Sequence, residues 1–170
     1  MPAWPTRATG VVAKQLLAQV ADAAKVEFVI DGYPEYATDP SSLEPPQRSV
    51  LRRAAEMIVR SQSTMRPVRA FVVVGHADKA LRKPPAERPS FELQVSQHRA
   101  RAATEALYKE VLRLSSGAHF AKTMQRGARG VGNTKPRVAN AATEADMRKN
   151  RRVEILVARS QLTPPQCGTR

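Results

Sequence analysis

A chain of 170 residues, 42% of them hydrophobic, is long enough for one domain with a real core and too short for two generous ones. Its 28 Lys and Arg against 15 Asp and Glu give a formal charge of +13, which favours anionic partners: nucleic acid, acidic lipid or the carboxylate-rich peptides of a cell wall. One cysteine, Cys167, excludes an intramolecular disulfide and a thiolate metal site, His76, His98 and His119 lack the spacing of a helical metal pair, and no run approaches the roughly 18 apolar residues of a membrane-spanning helix.

Met1 to Lys25 has no uninterrupted apolar core behind a basic end, so no export signal is expected. Within it, Val11 to Lys25 carries Val12, Leu16, Leu17, Val20 and Ala24 at helical spacing, which predicts an amphipathic N-terminal helix, either a packing arm or a dock for a protein partner. Val26 to Ile30 reads as a short strand ended by Asp31-Gly32, and Val50, Leu51, Ala54, Met57 and Ile58 give one face of a helix. After Pro67, the apolar and β-branched run Arg69 to Val74 predicts a buried strand. Lys79 to Ser90, with Pro84, Pro85 and Pro89, is expected to be an exposed loop, and a second helix is expected from about Ser96 to Leu114, stopped by Ser115-Ser116-Gly117.

His119 to Arg126 is read as a third strand, Gly130 to Ala142 as loop, Glu144 to Lys149 as a short helical turn and Val153 to Ala158 as the last strand. The order β-α-β-α-β-β predicts an α/β (α+β) sandwich, a mixed sheet with helices packed on one face. The expected division is an extension over 1–25, a domain over 26–159 and a tail over 160–170.

Polar residues at the ends of core elements are the candidate site. Asp78 follows the central strand, where a carboxylate is delivered to the chain–solvent boundary; it serves equally well as a turn cap. Arg99 lies one turn into the second helix, able to grip a carboxylate bidentately or to form an internal pair with Asp78. Arg151 and Arg152 precede the last strand on opposite faces, so one can turn to the site; an ordinary basic turn is the alternative. Gly130-Val131-Gly132 lacks the third glycine of a dinucleotide loop, and Ser96 and His98 diverge on their helix, so neither nucleotide binding nor a hydrolytic set is expected.

Taken in order, Gly75-His76-Ala77-Asp78, then Glu92 to Ala100 with Ser96 and Arg99, then Gly130-Val131-Gly132 with Pro136, and finally Asn150-Arg151-Arg152-Val153-Glu154-Ile155 resemble the OmpA-like peptidoglycan-binding domain over about Val26 to Ala158. The resemblance implies non-catalytic binding of diaminopimelate in the peptide stem of peptidoglycan, tethering to the cell wall in the periplasm or cell envelope, and no cofactor. It implies further that Asp78 holds the ligand's ammonium, that Arg99 holds a carboxylate and that Arg151 contributes to the same pocket. Two lining positions depart from the family pattern: Ala77 replaces a Thr, and Glu92 an Asn, which puts a carboxylate where an amide is usual. The loop after Asp78 is longer than usual, and Asp146-Met147 replaces a Gly-Arg pair. Two other readings stay open: a basic nucleic-acid-binding protein, poorly supplied with aromatic residues at 5%, and a structural adaptor with a vestigial pocket.

Overall fold

Residues 25–160 are described by a computed structural model. The expected helix ahead of Lys25 and the tail after Ser160 lie outside the described residues. Strand β1, Val26–Ile30, is followed by a 3-10 turn at Pro40–Ser42 and by helix α1, Pro45–Ser61, whose first turn carries Pro45 and Pro46 where no amide donor is needed. Leu51, Ala54, Ala55 and Ile58 form its buried stripe. At its end the Ser61 hydroxyl accepts the Val68 amide at 3.0 Å and ties the helix to strand β2, Val68–Gly75.

Helix α2 runs from Arg88 to Leu114, so the loop expected up to Ser90 ends earlier: Pro89 sits in the first turn, where proline initiates rather than breaks a helix. It stops in a Schellman arrangement, the Gly117 amide donating to the Leu112 carbonyl at 2.9 Å with Ser116 left-handed at φ 50. The strand expected over His119 to Arg126 is a correction: His119–Thr123 is a helical turn, α3, and strand β3 is Gln125–Gly130. Phe120, Ala121 and Met124 have the spacing of a helical face and pack on the core. The segment Gln-Arg-Gly-Ala-Arg-Gly has little β propensity and is a strand because β2 pairs with it in parallel. A short helix α4, Glu144–Asn150, capped by Thr143, leads into strand β4, Val153–Arg159.

The sheet order is β1-β4-β2-β3, with β4 antiparallel to both neighbours, hence a mixed sheet. Phe71 and Val73 of β2 and Val153, Ile155 and Val157 of β4 face α1 and α2, meeting Leu51, Ile58, Ala103, Leu107 and Val111. The helices therefore cover one face, giving an α/β sandwich. Gly75 and Gly130 end the parallel pair β2/β3 where α2 crosses closest. A Cβ on Gly75 would lie 2.1 Å from the Ser96 carbonyl oxygen, and one on Gly130 2.4 Å from the Gln97 nitrogen.

Candidate ligand-binding site

The chain leaving β2 is strapped on both sides. The His76 amide donates to the Arg152 carbonyl at 2.8 Å and the Ala77 amide to the Gly132 carbonyl at 2.9 Å. Ser96, wholly buried on α2, accepts the Gly132 amide at 2.9 Å. Ends of β2 and β3, the entry to β4 and the first turns of α2 thus converge on Asp78.

Asp78 is buried, and its carboxylate lies 3.5 Å from the Arg151 guanidinium. Burial raises its pKa, against the opposing pull of Arg151 and, more weakly, Arg99. Arg151, only 1% exposed, sits at the C-terminal end of α4 and also donates to Glu144 at the start of the same helix, so its charge has two acids to answer. Arg152 turns the other way, as strand alternation requires, and donates to Glu154 at 2.8 Å and to the Lys135 carbonyl at 3.2 Å.

Arg99 is fully buried and does not pair with Asp78 as its position alone allows. Its Nε and Nη2 donate to the Ala37 carbonyl at 3.0 and 2.7 Å and its Nη1 donates to the His76 carbonyl, while the guanidinium stacks 4.7 Å over the Tyr33 ring. Burial lowers its pKa to about 10, which leaves it charged at neutral pH. Glu92 is buried and accepts the Ala80 amide at 2.8 Å, stapling the loop after Asp78 onto α2. Ala77 is buried in the cleft wall.

The cleft is lined by Tyr36, Ala77, Asp78, Ala80, Phe91, Glu92 and Val95, and its free space, about 10 Å³, is roughly one water's worth. Tyr36 forms part of its wall: its backbone is left-handed at φ 60, its ring meets Phe91 edge-on at 5.1 Å, and its hydroxyl, beside Glu35, makes no well-aligned hydrogen bond. A roomier furrow of about 440 Å³ runs between α2 and β3, lined by Arg101, Glu105 and Arg126 among others. It contains none of the buried charges, so the smaller cleft is the better candidate. Tyr33, Tyr36, the Ala37 carbonyl and Glu144 were not singled out by the sequence. Only Glu144 left a signal there, two helical turns before Arg151 on the same helix face.

No protein-family model matches the sequence, and no curated protein matches it. Solved structures do. The peptidoglycan-associated lipoprotein of Burkholderia pseudomallei is similar at 19% identity and TM-score 0.52, over 79% of this chain and 91% of that one. The cell wall anchor of the T6SS from Pseudomonas aeruginosa is similar at 21% identity and TM-score 0.52, over 85% and 97%. The OmpA-like domain of FopA1 from Francisella tularensis is similar at 13% identity and TM-score 0.50, over 77% and 73%. The protein has the OmpA-like fold.

Proposed function

We propose that this domain binds the peptide stem of peptidoglycan without catalysis and tethers its bearer to the cell wall in the periplasm or envelope. The observation that carries the reading is the buried Asp78 carboxylate at the end of β2, opposed by the guanidiniums of Arg151 and Arg99. Two of the similar structures are, by name, a peptidoglycan-associated lipoprotein and a cell wall anchor. A diaminopimelate side chain ends in a zwitterion and needs one acid and one base at fixed separation. Its ammonium takes Asp78; Arg151, released from Asp78, keeps Glu144 and is not stranded. Its carboxylate takes Arg151, and takes Arg99 once the Ala37 carbonyl moves aside. Glu92 and Ala77 shape the wall, and Glu92 repels a carboxylate that approaches from the α2 side.

Retention on purified sacculi tests this. Asp78→Asn, folded by circular dichroism, is expected to lose about tenfold or more in affinity, the worth of one charge-assisted bond. A diaminopimelate muropeptide is expected to bind more tightly than its lysine counterpart. Equal retention of wild type and Asp78→Asn sinks the proposal.

One observation favours a second reading, an adaptor whose pocket is filled by the chain itself: three of the Arg99 donors are already taken by Ala37 and His76. That reading expects no muropeptide binding by wild type at millimolar concentration.

A further inference from the structure

Two buried carboxylates, Asp78 and Glu92, line the same cleft, and an ionised carboxylate only accepts hydrogen bonds. Asp78 is answered by Arg151 at 3.5 Å. Glu92 is answered by less: its Oε1 takes the Ala80 amide at 2.8 Å, and no Lys, Arg or His among the described residues pairs with it. The cations around it in sequence are engaged elsewhere. Arg82 pairs with Glu35 at 3.3 Å, Lys83 lies 4.8 Å over the Phe91 ring, and Arg88, one turn before Glu92 on α2, donates to the Lys83 and Leu81 carbonyls. Glu92, Ser96 and Arg99 fall at spacing four and seven, so the acid and the buried guanidinium stand on one side of α2, two turns apart.

Resting on the peptidoglycan reading, we propose that the cleft prefers diaminopimelate whose free-end carboxyl is amidated, and that Glu92 sets the preference. A free carboxylate suits the guanidiniums of Arg151 and Arg99 but sets an acceptor-only, like-charged group against Glu92. A carboxamide answers both sides. Its carbonyl oxygen accepts from a guanidinium, and its NH2 donates to the Glu92 oxygen that the Ala80 amide leaves free. The two forms have the same shape, so a cleft with about 10 Å³ of free space cannot separate them by size, and charge decides. The ammonium beside that carboxyl goes to Asp78 in either form.

The test is titration calorimetry of the full chain with two diaminopimelate muropeptides, alike except that the free-end carboxyl of one is amidated. Wild type is expected to bind the amidated form about tenfold more tightly, one charge-assisted hydrogen bond gained. Glu92→Gln keeps an oxygen for the Ala80 amide and adds a donor. It is expected to bind the free-acid form more tightly than wild type does and to bring the two affinities close to equal. Equal affinities in wild type, or a preference that Glu92→Gln leaves unchanged, overturn the role of Glu92 while the peptidoglycan reading stands. Binding of neither form by wild type at millimolar concentration overturns both. The wild-type comparison needs no substitution, so the inference is decided even if Glu92→Gln does not fold.

Discussion

Arg99 keeps its charge away from water by donating to two backbone carbonyls and lying over Tyr33. Removing it leaves the Ala37 and His76 carbonyls unanswered inside the protein, so Arg99→Ala is expected to cost about 3 kcal/mol or more in urea denaturation. Arg99→Lys is expected to recover little of this, because an ammonium lacks the planar fork that reaches both carbonyls. Two acids titrate in opposite senses. Glu154 is held down to about 2 by His76, 3.3 Å away, and by Arg152 at 2.8 Å; the imidazole nitrogens make no well-aligned hydrogen bond, so Arg152 is the firmer cause. The stabilisation from Glu154 is present above the ordinary Glu pKa and fades as pH falls toward about 2. Asp78, raised by burial, contributes stability below the ordinary Asp pKa and loses it as pH rises through the raised value. Unfolding free energy against pH should therefore fall less steeply below about pH 4.5 in Glu154→Gln than in wild type, by about 2 kcal/mol after allowance for solvent screening. Asp78→Asn should shift the same limb the other way. Identical acid limbs in wild type and Glu154→Gln would remove the ion pair from the account.

At the scale of elements, α2 is placed by close approach to the β2/β3 pair. Gly75→Ala puts a methyl group 2.1 Å from the Ser96 carbonyl, backbone against backbone, and is expected to cost about 3 kcal/mol or to prevent folding, read as Tm. The left-handed Ser116 offers the converse: Ser116→Gly is expected to stabilise by about 0.5 to 1 kcal/mol. Much of this architecture is legible in the sequence. The run Ala-Phe-Val-Val-Val announces β2, and the apolar stripe through Ala103, Leu107 and Val111 announces α2. The strand β3 is not, because its six residues include two glycines and two arginines and its conformation is imposed by a neighbour. In the site, Asp78 and Arg151 are legible because both mark the ends of apolar strands. The partner of Arg99 is not: a carbonyl oxygen of Ala37 belongs to every residue type alike, and no side-chain pattern foretells it. Glu92 departs from the usual Asn, yet nothing local says that it would bond to the Ala80 amide.

Across the whole molecule the charge of +13 attracts any polyanion, and salt separates attraction from recognition. Binding to sacculi by the proposed clamp is expected to weaken with salt yet still to distinguish wild type from Asp78→Asn at 0.3 M. Binding to DNA, if it is only electrostatic, should fall steeply over the same range and be indifferent to that substitution. DNA affinity that falls steeply with salt and needs no Asp78, together with sacculus retention indifferent to Asp78→Asn, would favour the nucleic-acid reading. The sandwich itself treats the two sides of the cleft unequally. Behind Asp78, helix and strands press together through glycines, and nothing there can yield. In front, the stretch from Tyr33 to Asp39 leans on Arg99 through the oxygen of one peptide, with Tyr36 in a posture few side chains adopt. On the proposed reading, grafting that stretch from another protein of this fold is expected to change what is admitted while leaving the framework intact, so that ligand preference would be edited from the front alone.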